Sequence, residues 1–248
     1  MNQAIMEAMR SINAYYGPGT IRTGDTFPQN DRFYTSLRDL DHATGGIPRG
    51  RIVELFGENS SGKSTLARFL AESAGETLYM DADNSLADAR GLHVMYPETL
   101  EDALRAVEIA APAFDAVVID SLTALPTREE AELDIGDFYT KSSAAVVLSR
   151  ALPRLVPVLL KNRCTLILVT QLRDIPGVMY GRPDKPSGGR ALRHYASLRI
   201  ETQRIELTKH GGEYTGQRIR ATGQKNKCGV PFRTAELQLI FGYGRATA

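Results

Sequence analysis

A chain of 248 residues, 42% of them hydrophobic, can bury a large core, which excludes disordered and collagen-like classes. Its formal net charge of +1 sets up no global field for polyanions, so any contact with nucleic acid must come from a local basic patch. Cys164 and Cys228 are far apart and lack metal-ligand spacing, and no secretory segment or apolar run near the ~18 residues of a membrane span is present, so a soluble, cytoplasmic protein with no membrane partner is expected.

In chain order, Ile5, Met9, Ile12 and Tyr16 recur at helical spacing before the turn Gly17-Pro18-Gly19, which predicts a short amphipathic helix. Its apolar stripe must dock on its own core or on another subunit, since so short a helix is marginal alone. A strand is expected at Thr20–Thr23, then a polar segment, then the Gly/Pro cluster Gly45–Gly50. The main domain is placed at 46–248, after an N-terminal segment 1–45. Strand-like runs at Arg51–Phe56, Thr77–Met80, Ala116–Asp120 and Thr165–Thr170 alternate with helical patterns at Leu66–Ala74, Leu100–Ala111 and Ala144–Lys161. Such alternation predicts an α/β fold with a mostly parallel sheet and helices on both faces. Pro153 and Pro157 are expected to bend or split the last helix. From Tyr195 onward β-rich segments (Ser197–Arg204, Arg218–Gln224, Thr234–Phe241) predict an antiparallel extension.

The chemistry concentrates at Gly57-Glu58-Asn59-Ser60-Ser61-Gly62-Lys63-Ser64-Thr65, which fits the phosphate-loop pattern G-x-x-x-x-G-K-[ST] between a strand and a helix. The pattern arises by accident in a chain this long about one time in a hundred. Gly57 and Gly62 permit a turn whose N–H groups point inward at a helix N-terminus. Lys63 would meet the β- and γ-phosphates of a nucleoside triphosphate, and Ser64 would hold Mg²⁺. Asp120 ends an apolar strand, as suits an acid that orders the shell of that Mg²⁺, a role favoured over a plain turn cap because the phosphate loop is present. Asp81 and Asp83 both follow another strand as candidates to orient a water. Gln171 ends the strand Thr165–Thr170, where a neutral side chain could sense a γ-phosphate. The long loop Leu172–Gly189 mixes Arg173, Arg182 and Lys185 with Met179 and Tyr180, a pattern suited to a nucleic-acid backbone, although Asp174 and Asp184 dilute it. Lys225 and Lys227, two apart on a strand, share a face; by pattern they read as an edge strand that deters aggregation.

The motifs TGGIPRGRIVELFGENSSGKSTL, AVVIDS, TQLRDIPGVMYGRPDKPSGGRALRHYASLRI and QKNKCGVPFRTAELQLIFGYG together resemble the bacterial RecA recombinases over nearly the whole chain. The resemblance implies a RecA-like P-loop ATPase core that uses ATP and Mg²⁺. It implies head-to-tail filaments on single-stranded DNA and strand exchange with a homologous duplex. It assigns residues 1 to about 24 to packing on a neighbouring protomer and Glu129–Lys141 and Leu172–Gly189 to DNA-lining loops. In the second loop Arg173, Ile175, Val178, Met179, Tyr180, Arg182, Lys185, Gly188, Gly189 and Arg190 fall at the DNA. It makes Gln171 the link between γ-phosphate and that loop, and Lys225 and Lys227 cations that reach a neighbour's ATP.

The departures from that pattern are specific. The family's catalytic glutamate falls on Asp83, one methylene shorter, which implies slow hydrolysis because a shift of ~1 Å costs about a hundredfold. Ala87, Asp88 and Arg90 occupy the region of the family's adenine-stacking aromatic, leaving nucleotide preference open. Pro176 replaces a branched apolar residue in the DNA loop, beside Ile175, while the first loop is acidic, as in the family. The chain ends soon after Gly244, where the family continues into a C-terminal domain, so a core-only member of the phage or plasmid kind is expected. Two functions compete: a DNA-dependent ATPase and recombinase, and a RecA-like accessory protein that binds ATP and joins or modulates filaments.

Overall fold

The computed structural model describes residues 2–21, 23, 31–86, 89–134, 143–174, 184–186, 189–241 and 245–247. They form two compact units, 1–31 and 32–248. The first holds α1 (Gln3–Tyr16), capped by the Asn2 side chain and closed by Gly17. None of its residues is buried, and Ile5, Met6, Tyr15 and Tyr16 are exposed. The strand expected at Thr20–Thr23 does not form among the described residues. The Asn13 carboxamide takes both the N–H and the C=O of Ile21, so those groups are not offered to a ladder.

The second unit runs β1 (Arg32–Phe33), α2 (Arg38–Thr44), β2 (Ile47–Pro48), β3 (Ile52–Gly57), α3 (Lys63–Ala74), β4 (Thr77–Asp81), β5 (His93–Met95) and α4 (Leu100–Ala110). It continues with β6 (Ala116–Asp120), α5 (Arg128–Ala131), α6 (Ser143–Asn162), β7 (Thr165–Asp174), β8 (Asp184–Pro186), α7 (Gly189–Tyr195), β9 (Leu198–His210), β10 (Glu213–Asn226), β11 (Thr234–Ile240) and β12 (Arg245–Thr247). The main sheet has the order β12-β11-β10-β9-β3-β7-β6-β4-β5. From β9 to β5 its pairings are parallel, and β9 to β12 are antiparallel.

Period-two alternation divides the core. Val53, Leu55, Val118 and Ile167 face a cluster with Leu37 before α2, Leu40 of α2 and Leu66 and Leu70 of α3. Ile52, Val117, Ile119 and Leu166 face the other, with Leu104 of α4, Leu148, Leu152, Leu155 and Leu159 of α6 and Leu192 of α7. Helices therefore cover both faces, as the alternation predicts. The compact unit takes in α2, which lies before the Gly/Pro cluster, because Leu37, Leu40 and Ala43 are buried.

Pro153 and Pro157 do not split their helix: α6 is continuous over Ser143–Asn162. Both prolines lie on its exposed side, between the buried leucines, so the carbonyls they leave unbonded can turn to water. Four buried leucines at helical spacing hold the other side to the sheet.

Candidate functional site

The phosphate loop leaves β3 at Gly57 and enters α3 at Lys63, with Ser60 and Gly62 in the left-handed region at φ 59° and 86°. Both glycines are sterically required. A Cβ on Gly57 would lie 2.2 Å from the Thr202 carbonyl oxygen, and one on Gly62 would lie 2.3 Å from Leu239 Cδ1. Ser61 Oγ pairs with Thr202 Oγ1 at 2.7 Å, fastening the loop to β9. Lys63 Nζ donates to the carbonyls of Gly57 (3.1 Å) and Glu58 (2.6 Å). Burial pulls the pKa of Lys63 down, opposed by the charges of Asp120, Asp83 and Glu58. A buried ammonium at the mouth of an amide-lined turn calls for an anionic ligand.

Asp120 is buried at the end of β6. Its carboxyl is pushed up, chiefly by burial and further by Asp83 and Asp81, while hydrogen bonds from Tyr79 and Ser64 hold it down. The Tyr79 hydroxyl donates to Oδ2 at 2.6 Å. Because the folded pKa lies above the unfolded one, this group favours folding only at low pH, and that contribution is lost as pH rises through the folded value. Above the folded value the ionised carboxylate opposes folding. Asp120→Asn is therefore expected to raise the thermal midpoint of the nucleotide-free protein and to lower Mg²⁺-dependent turnover at least about tenfold; a lower midpoint would contradict this electrostatic reading.

The two acids after β4 separate by their bonds. Asp81 is buried, and its oxygens accept the N–H groups of Ser85 (3.1 Å) and Leu86 (2.9 Å), so it caps a turn. Asp83 is exposed, accepts Ser121 Oγ at 3.3 Å, and contributes charge at both Lys63 and Asp120. Of the two acids, Asp83 is the one whose charge acts on both Lys63 and Asp120. Asp83→Glu is expected to raise ATP turnover, by up to about a hundredfold if a shift of ~1 Å limits the parental chain. Reduced turnover, or its loss on Asp81→Ala alone with the fold intact, would identify the wrong acid.

Gln171 is half-buried and stands in register with Gly57 across the β3–β7 ladder, directly beside the loop. Beyond it the structure departs from a plain loop. The strand β7 runs on to Asp174 and pairs with β8, Arg173 opposite Lys185. Gly189 and Arg190 open α7, with Arg190 exposed. Ile175, Val178, Met179, Tyr180, Arg182 and Gly188 lie outside the described residues, as do Pro176, Ala87 and Asp88.

A cleft of about 420 Å³ opens from Lys63, Ser64 and Thr65 toward Leu207, Gln217 and Phe241. Its far wall comes from the antiparallel strands and the residue after β11, which reach the loop because β10 and β9 stand next to β3.

A family model for the RecA N-terminal domain matches residues 3–246. The chain belongs to the RecA family. It is 38% identical to Protein RecA of Frankia casuarinae over 98% of this chain and 75% of that protein. It is 36% identical to Protein RecA of Clostridium novyi and 37% identical to that of Clostridium perfringens, each over 98% of this chain and 74% of the relative.

In this RecA-family chain the fold gathers Gly57–Thr65, Asp83, Asp120 and Gln171 at the C-terminal ends of β3, β4, β6 and β7, the usual ligand end of an open α/β sheet. It does not gather Lys225 and Lys227 there. Lys225 pairs in register with Arg199, which pairs with Glu54, three residues before Gly57 and two strands away, a Cα separation of about 14 Å. Both ammonium groups accept no role at the loop in their own chain: they donate to the His194 carbonyl at 3.0 Å, and Lys225 also to that of Arg193, at the end of α7. Beside them Arg199 forms a buried pair with Glu54 and lies over the Phe56 ring at 4.5 Å. The shared face predicted for the two lysines is observed. Leu207, Gln217 and Phe241 are site residues that sequence patterns do not mark, since strand order alone brings them to the loop.

Proposed function

We propose that this RecA-family protein is a DNA-dependent ATPase that polymerises head to tail on single-stranded DNA and performs homologous pairing and strand exchange with a duplex. The observation that carries the reading is the separation of the phosphate loop from Lys225 and Lys227. One protomer carries the phosphate loop at one end of its strands and a pair of cations at the other. A head-to-tail contact is heterologous and brings unlike ends together.

In this reading the loop amides and Lys63 hold the triphosphate, and Ser64 and Asp120 hold Mg²⁺. Ser64 lowers the pKa of Asp120 as a hydrogen-bonding neighbour, which supports their acting together. The ion, when bound, neutralises charge on the phosphate oxygens. Asp83 orients the attacking water. Gln171, one strand from Gly57 and three residues before the end of β7, links the γ-phosphate end of the site to the loop that carries the DNA-facing Arg173, Arg182 and Lys185. The apolar stripe of α1, on which Ile5 and Tyr16 are exposed, docks on the next protomer. Among the described residues no helix is long and apolar enough to cross a membrane.

The test is ATP hydrolysis with and without single-stranded DNA across a salt series. Stimulation by DNA that fades with salt is expected; hydrolysis indifferent to DNA would reject the reading. The shorter Asp83 favours a second reading, an accessory protein that uses ATP to join filaments. Strand exchange between homologous oligonucleotides by the purified protein alone excludes it, and none despite ATP and DNA binding favours it.

A further inference from the structure

Tyr79 is the middle residue of β4 and belongs to the core: it is 1% exposed and lies in the same cluster as Val118 and Leu66. Residues two apart on a strand share a face, so Asp120 projects from β6 on the side of Val118, the side covered by α3, whose first turn carries Lys63 and Ser64. In the parallel ladder Tyr79 stands opposite Val118, one period short of Asp120, and a side chain as long as tyrosine's closes that gap. Its hydroxyl donates to Asp120 Oδ2 at 2.6 Å, with both residues buried. A phenylalanine would fill the core equally well, and burying a hydroxyl costs free energy unless it is paired, so packing does not account for this oxygen.

We infer that Tyr79 is a positioning residue: its hydroxyl fixes the plane of the Asp120 carboxylate so that this acid and Ser64 meet Mg²⁺ together at the phosphate loop. This rests on the reading of Ser64 and Asp120 as the residues that hold the ion. Two features direct the assignment. The terminal torsion of an aspartate is broad and roughly twofold, so a carboxylate anchored through one oxygen keeps one orientation where a free one samples several. Tyr79 reaches Asp120 from the packed core, whereas Ser64 is its hydrogen-bonding neighbour at the start of α3, so the acid is held between the strand behind it and the loop in front. Groups that hold a metal are ordinarily oriented by such outer partners, whose loss costs about 10-fold to 100-fold in metal affinity. The ring of Tyr79 is enclosed by the core, so its influence on the ion passes through Asp120.

The test measures equilibrium binding of ATP with saturating Mg²⁺ and in EDTA. The parental protein is expected to bind ATP more tightly with Mg²⁺. Tyr79→Phe, which deletes only the hydroxyl, should cut that ratio of affinities about tenfold and leave ATP binding in EDTA at the parental value, whereas a disturbed fold would weaken both alike. In Asp120→Asn protein the same substitution should lower the ratio no further, because the route through the carboxylate is already gone. A parental ratio kept by Tyr79→Phe, an equal loss with and without Mg²⁺, or a further loss in the Asp120→Asn background would overturn the role of Tyr79 and leave the Mg²⁺ site standing. A parental protein whose ATP affinity ignores Mg²⁺ would overturn the site itself, and the role of Tyr79 with it.

Discussion

Alanine at both Lys225 and Lys227 is expected to lower DNA-stimulated ATP hydrolysis by about 10³-fold, while the isolated protomer still binds ATP. The magnitude is that of a cation supplied in trans to a transferring phosphoryl group. The selectivity follows from geometry: both ammonium groups rest on carbonyls at the end of α7, away from their own loop, so their loss leaves the loop's amides, Lys63 and Asp120 intact. Burial, followed by the charges of Lys227 and Arg199, lowers the pKa of Lys225. A cation crowded in this way gains from an added anion, which a neighbour's phosphate would supply. Parental hydrolysis on DNA by the double variant would reject the trans assignment.

Lys63→Ala is expected to remove ATP-dependent DNA binding and to lower turnover by at least about 10²-fold, the usual cost of deleting a preorganised charge at a reacting oxyanion. The loop amides would remain but would leave the phosphate charge poorly compensated. Because Lys63 is buried against the carbonyls of Gly57 and Glu58, the control is the nucleotide-free thermal midpoint, which should not fall below the parental value. Burial already disfavours its charged form. Unchanged nucleotide affinity in equilibrium titration would contradict the phosphate-loop assignment. Mixed with the double-lysine variant, Lys63→Ala protein should regain some hydrolysis, since mixed interfaces can pair an intact loop with intact lysines.

The loop was legible because its pattern is local: two glycines, one lysine and the strand before them. The strands β3, β4, β6 and β7 were legible for a similar reason, each starting as a short apolar run, whereas β5 and the parallel pairing of β9 with β3 were not. Long-range placement was not. Lys225 and Lys227 could be put on one face from their spacing, but their place opposite Glu54 depends on the register of three strands. Gln217 and Phe241 reach the cleft only because β10 and β9 lie beside β3. Pro153 and Pro157 misled because local propensity says nothing of which side of a helix faces water. Likewise α2 and α7, seven residues each, are too short for periodicity to reveal. Asp81 and Asp83 could not be ranked until the amides of Ser85 and Leu86 were seen to occupy the first.

Direct imaging of the parental protein with ATP, Mg²⁺ and single-stranded DNA tests the central claim, that the ATP site is completed between protomers stacked head to tail. Continuous helical filaments along the DNA that vanish with the Lys225→Ala/Lys227→Ala variant are the predicted result. Discrete particles on the DNA, or filaments of undiminished length formed by that variant, would contradict it.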